Sequence, residues 1–176
     1  MHFRKAGIPI PPKVISSDLA MLTSVVNMFD IKRVVFLGDL FHSQYNSEWL
    51  IFQKWLDQFP KISFELVLGN HDIHAQELLP SQIKLHLEKL EEPPFILTHE
   101  PIENYNGELY NLCGHLHPAV QLKGKGNQQM KLPCFHFGSS QGVLPAFGRF
   151  TGNMAMSIKK GDDVFAIASN KVMKVC

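Results

Sequence analysis

The sequence predicts an α/β protein, and three observations carry that reading. Helix-type and strand-type patterns alternate over the first 70 residues, strand-type runs dominate after Pro80, and four apolar runs stop abruptly on Asp, Asn or His. Alternation of this kind builds parallel strands joined by right-handed crossovers in a layered fold. A chain of 176 residues is the length of one domain, so residues 1–176 are expected to form a single domain.

Residues 1–13 hold Pro9, Pro11 and Pro12 and read as an extended lead-in, because proline removes donors and biases its predecessor away from helix. With Ser16 or Ser17 as N-cap, Leu19, Leu22, Val26 and Phe29 then recur at the spacing of one buried helical stripe. Val34-Val35-Phe36-Leu37 is too short for a helix and too apolar for a half-exposed strand, so it reads as a strand covered on both faces. A second helix is expected from Asn46 or Ser47, where Trp49, Phe52, Leu56 and Phe59 repeat the stripe up to Pro60. Phe64 to Leu68 is a second strand. Further on, Ile83, Leu85, Leu87 and Leu90 alternate with polar residues. Strand-like stretches follow at Phe95 to Leu97, Leu109 to Cys113, Ala119 to Leu122, Met130 to Phe137, Val164 to Ala168 and Val172 to Val175. Gly124 and Gly126 punctuate a hairpin, and Gly161-Asp162-Asp163 signals another turn.

Composition narrows the function classes. Lys and Arg total 17 against 16 Asp and Glu, a formal net charge of +1, which argues against a broad basic nucleic-acid surface but leaves room for a local patch. No apolar run approaches the ~18 residues that span a bilayer, and a cytoplasmic protein without a membrane partner is expected. Cys113, Cys134 and Cys176 are an odd number at unrelated spacings, which suits a reducing compartment and makes no thiolate metal knuckle.

Aligning the ends of the four apolar runs gives Gly38-Asp39, Gly69-Asn70-His71-Asp72, Thr98-His99 and Gly114-His115-Leu116-His117. In α/β sheets the functional crevice lies beyond the carboxyl ends of the strands, so these side chains are expected to converge although distant in sequence. Carboxylate, amide oxygen and imidazole together suit Mn, Fe or Zn, and they are a poor set for a closed structural zinc, which prefers thiolates. A carboxylate such as Asp39 can bridge two ions. Two ions about 3.5–4 Å apart hold a phosphate in line and acidify a bridging water, without any nucleophilic side chain.

These ordered motifs resemble those of the calcineurin-like metallophosphoesterases. The segments His2 to Pro9, Gly38 to Ser43 and Leu144 to Gly152 are further similar to the branch of ligase-associated DNA damage response endonucleases. The resemblance implies a four-layer sandwich of two mixed β-sheets flanked by helices, and a phosphodiesterase or nuclease that works through a bridging hydroxide in a DNA-repair setting. It implies that Asp39 bridges the metals, that Asn70, His99 and His115 complete one ion, and that His117 serves the other. His71, paired with Asp72, would sit by the substrate phosphate and stabilise charge or protonate the leaving oxygen. His42 would orient the metal ligands without binding metal itself. The implied cofactor is a pair of divalent ions, chiefly Mn with Fe or Zn as substitutes, and the implied partners are DNA, a DNA ligase and a helicase.

One departure stands out. The family carries an Asp-x-His motif at the end of its first strand, and neither that motif nor that strand precedes Met1-His2. The chain is therefore expected to lack its first strand, to hold one ion well and a second poorly, and to expose a sheet edge that invites a homodimer. The alternative is an impaired phosphoesterase-fold scaffold that mediates protein interactions.

Other chemistry-bearing residues have plainer readings. His2, His74, His86 and His136 are expected to be surface or satisfied core histidines, Cys113 a buried strand residue, and Trp49 and Trp55 helix packing. Lys123 and Lys125 are read as a solvated hairpin tip.

Overall fold

The computed structural model describes residues 12–40, 47–124, 126, 128–148 and 151–176. The chain divides into two compact units, Met1–Glu88 and Lys89–Cys176.

In the first unit, helix α1 (Pro12–Met28) leads into strand β1 (Arg33–Phe36), helix α2 (Ser47–Leu56), strand β2 (Ser63–Val67), a short 3₁₀ helix at Ile73–Leu78 and strand β3 (Ile83–His86). Helix α1 begins before Ser16 and Ser17, the expected caps, because proline is pre-organised for the first turn of a helix, and the part of the expected lead-in before Pro12 lies outside the described residues. It also stops before Phe29, which is 61% exposed and so falls outside the buried stripe it was assigned to. Strands β1, β2 and β3 pair in that order and are parallel throughout.

Register explains which face of this sheet is apolar. Val34, Phe64 and Ile83 form one cross-strand row, and Phe36, Leu66 and Leu85 form the next. These rows meet Leu19, Leu22 and Val26 of α1 and Trp49, Phe52, Trp55 and Leu56 of α2 in one core. Burial of each such side chain contributes about 1.5–3 kcal/mol. Trp55 packs edge-on to Phe64 and donates its Nε1 hydrogen to Thr23 Oγ1 at 2.7 Å, which ties the helices together. Both tryptophans are thus packing residues, as expected. On the opposite face Glu65 is buried, and its carboxylate lies 2.6 Å from His86 Nε2, with Arg33 and Lys84 within 3.8 Å. His86 is therefore a satisfied histidine.

The second unit is built of strands. Strands β4 (Lys89–Glu92), β5 (Phe95–Thr98), β6 (Tyr110–Cys113), β7 (Pro118–Lys123), β8 (Gln129–Phe137), β9 (Gln141–Val143) and β10 (Met154–Ala155) line up in the order β10-β7-β8-β9-β6-β5-β4. Strands β11 (Asp163–Ala168) and β12 (Lys171–Lys174) extend the sheet from β8. Strand β8 changes partner midway: Gln129–Pro133 pair with β7, and Cys134–Phe137 pair with β11. This sheet is mixed, with β5, β6 and β9 parallel and the β7–β8 hairpin antiparallel. A small core of Val120, Cys134, Val164 and Ala166 lies beneath the hairpin. The chain thus has a mixed α/β fold of two sheets and few helices. Among the described residues, no helix is long and apolar enough to cross a membrane.

Candidate functional site

Each unit brings the carboxyl ends of two parallel neighbours side by side. In the first unit these are β1 and β2, followed by Asp39 and by Asn70-His71-Asp72. The chain turns off β1 through Gly38 (φ 79°) and Asp39 (φ 55°), left-handed conformations that glycine adopts freely and aspartate tolerates. At β2 the turn needs glycine for a different reason. A Cβ on Gly69 would stand 2.5 Å from Asp39 Oδ1 and closer still to the Asp39 backbone nitrogen, so the two strand ends touch backbone to backbone. Asp39 Oδ1 accepts a hydrogen bond from the His71 backbone N–H at 3.1 Å. Asp72 is fully buried, and its Oδ2 accepts from the Gly69 N–H at 3.1 Å while its own N–H donates to Gly69 O at 3.0 Å. Asp72 thus fastens the corner, leaving the side chains of Asn70 and His71 exposed.

In the second unit the neighbours are β5 and β6. His99 follows β5 and is buried; His115 follows β6 with φ 61°, and His117 follows with φ 48°. Two non-glycine residues in the left-handed region cost on the order of 1–3 kcal/mol each, a strain that structures retain at functional positions. The Gly114 N–H donates to His99 O at 2.9 Å, clipping the two corners together. His99 Nε2 and His115 Nδ1 stand 3.0 Å apart with their rings nearly perpendicular.

That spacing tests whether the pair fits a metal. At metal–nitrogen distances of about 2.1 Å, two nitrogens separated by 3.0 Å subtend about 90°, the angle between neighbouring ligands of an octahedral ion. A tetrahedral angle would spread them to about 3.4 Å. At 3.0 Å the two nitrogens are in hydrogen-bond contact, and the same spacing is compatible with neighbouring donors on one divalent ion. His117 is prepared in its own way. Its Nδ1 lies 3.0 Å from Gly152 O, and because a carbonyl only accepts, Nδ1 carries the proton, which in the neutral ring leaves the Nε2 lone pair for a cation.

The support beneath the histidines was not expected from the sequence. Asn111, fully buried in β6, donates to Ile96 O at 3.1 Å and to Thr98 Oγ1 at 2.9 Å, and its Oδ1 accepts from the Ile102 N–H at 3.4 Å. Thr98 Oγ1 in turn donates to Glu100 O at 2.6 Å. The only trace in the sequence is a polar Asn between Tyr110 and Leu112 in an apolar strand, beside the Thr98-His99-Glu100 corner.

The remaining expectations divide plainly. His136 Nε2 is buried and lies 3.0 Å from Asp162 Oδ2, an ion-pair distance without hydrogen-bond geometry, and His74 is exposed. Cys113 is fully buried, and burial pushes its thiol up to about 12, so it offers no thiolate at neutral pH. His2, His42 and Lys125 lie outside the described residues, as does the Lys123 side chain.

The sequence profile of the calcineurin-like phosphoesterases matches residues 16–167, which takes in the donors of both units. The crystal structure of Pseudomonas putida nuclease MPE is similar to this chain with a TM-score of 0.80 and 26% sequence identity, over 94% of this chain and 82% of that one. No curated protein matches the sequence.

Proposed function

This chain belongs to the calcineurin-like phosphoesterase family, and from that premise we propose that it is a metal-dependent phosphodiesterase or nuclease. The carrying observation is that, within this family match, the ends of β5 and β6 present two imidazole nitrogens at the spacing of neighbouring ligands on one ion. Asp39 and Asn70 would add hard oxygen donors to His99 and His115, and His117 with Asp39 would serve a second ion. When bound, divalent ions supply Lewis acidity, which lowers the pKa of water and neutralises phosphate charge. Mn²⁺ suits the mixed oxygen and imidazole set.

The residues of the chain do the rest. Water attacks phosphorus opposite the leaving oxygen, the P–O bond to that oxygen breaks, and His71 delivers the proton that the leaving oxygen needs. Asp72 contributes by holding the corner from which His71 projects. A nucleic acid is the proposed substrate, supported by the likeness to the Pseudomonas putida nuclease, and DNA as that nucleic acid, in a repair setting beside a ligase and a helicase, belongs to the same proposal.

Hydrolysis of a bis-aryl phosphate with added Mn²⁺ tests the reading. Wild-type protein is expected to release the phenol in a Mn²⁺-dependent way, and Asp39→Ala to lose at least about a hundredfold, the scale of removing one principal stabilising group. Unchanged activity in Asp39→Ala would overturn the metal mechanism.

A further inference from the structure

We infer that Glu100 is a positioning residue for the metal centre: its carboxylate holds the proton of His115 on Nε2 and so keeps Nδ1 open as the donor. The inference rests on the metal reading above and adds a residue to it.

The two histidines of the Gly114–His117 corner use opposite nitrogens. His117 gives its Nδ1 hydrogen to the Gly152 carbonyl, so its Nε2 is the donor. His115 is turned the other way, with Nδ1 directed at His99 Nε2. A neutral imidazole that ligates through Nδ1 must carry its proton on Nε2, and a stable site needs an acceptor there. Glu100 Oε1 lies 3.8 Å from His115 Nε2, within ion-pair reach and less than an ångström from hydrogen-bond distance. A carboxylate in that place favours the Nε2–H tautomer and makes Nδ1 a better donor to a cation.

The root of Glu100 is held even though its head is exposed. Thr98 Oγ1 donates to Glu100 O, and Asn111 donates to Thr98 Oγ1 and accepts from the Ile102 N–H, so residues 98–102 are clasped to β6 from below. The carboxylate itself is 59% exposed against 33% for His115, so solvent screens the pair and its contribution to folding stability is small. What it sets is a tautomer, and the readout is metal affinity. Partners that orient a metal-binding histidine typically change affinity 10- to 100-fold, and the exposure of Glu100 places the expected effect near about tenfold.

The test is calorimetric titration of Mn²⁺ into wild-type protein, Glu100→Ala, Glu100→Gln and Glu103→Ala. Glu103 is an exposed carboxylate on the same segment and controls for net charge alone. Glu100→Ala is expected to bind about tenfold more weakly, Glu100→Gln to recover part of the loss because its amide oxygen still turns a partial negative charge toward Nε2–H, and Glu103→Ala to stay within about twofold. In the metal-free protein, ¹⁵N spectra of His115 are expected to show the Nε2–H tautomer in wild type and a mixture in Glu100→Ala. Equal Mn²⁺ affinity in wild type and Glu100→Ala, or an equal loss in Glu103→Ala, overturns this inference alone. A wild-type protein that takes up no Mn²⁺ overturns the metal reading, and this inference with it.

Discussion

The two donor-bearing corners are held by opposite means. After β1 and β2, Asp39 and the Gly69–Asp72 turn are fixed by close backbone approach, where the missing Cβ of Gly69 lets one turn rest against the other. After β5 and β6, the histidines are fixed by polar side chains that reach between strands: Asn111 and Thr98 beneath His99, Gly152 O against His117. A contact made possible by an absent atom has no intermediate setting, whereas a hydrogen-bonded clasp loosens one bond at a time. The oxygen-donor corner should therefore fail abruptly on substitution, and the nitrogen-donor corner by degrees.

The largest effect is expected at Gly69. Adding a methyl group there sets it against backbone that has nowhere to go, so Gly69→Ala should lose about 3 kcal/mol or more, the upper end for inserting a methyl into a packed site. Urea unfolding measures the loss, and Mn²⁺ titration of the protein that remains folded should show weakened binding through displacement of Asp39. A Gly69→Ala protein with wild-type midpoint and affinity would show that the two turns are not locked, and the contrast between the corners would collapse.

The same contrast explains what sequence could and could not reveal. Glycines before Asp39, Asn70 and His115 are visible as strand stops because sharp turns demand them, and so these corners are legible in sequence. Polar clasps leave no such mark. Asn111 reads as an ordinary interruption of an apolar strand, and Glu100 as a surface charge, because their meaning lies in partners that folding brings near. Element limits were lost for local reasons. Strand β4, Lys-Leu-Glu-Glu, carries three charges in four residues, and β9 is three residues long with a glycine at its centre, so neither shows a strand period. Strand β10 has only two residues, held against β7 by hydrogen bonds from Met154 N–H to His117 O and from Met156 N–H to Ala119 O.

Asn111→Ala is the graded counterpart of Gly69→Ala. It removes the donor to Ile96 O and Thr98 Oγ1 and the acceptor for the Ile102 N–H, all in a buried setting. Leaving those groups unsatisfied costs about 1–3 kcal/mol. Thr98→Val, which keeps the shape and removes only the hydroxyl, should cost less, about 1 kcal/mol. Urea midpoints should therefore fall in the order wild type, Thr98→Val, Asn111→Ala. If both variants matched wild type, the clasp would be ornamental and His99 would be held by some other means.

The smallest effect separates the units by pH. All three cysteines lie after Lys89, and burial pushes the Cys113 thiol up to about 12 and the Cys134 thiol up to about 11 from an ordinary 9. Burial likewise raises Tyr110, with Asp162 and Asp163 adding to the shift. For an acid whose pKa is raised on folding, the neutral form is favoured by the fold, so its contribution is fully present below the ordinary pKa. That contribution is lost as pH climbs from about 9 toward the folded value. Hydrogen exchange measured between pH 8 and pH 10, after correction for base catalysis, should show β6 and β8 losing protection while β2 of the first unit loses less. Cys113→Ala should flatten the loss in β6, because the thiolate that unfolding releases is gone. Equal loss in β2 and β6, or an unflattened slope in Cys113→Ala, would mean that the buried thiol is not what makes the floor of the histidine corner sensitive to alkali.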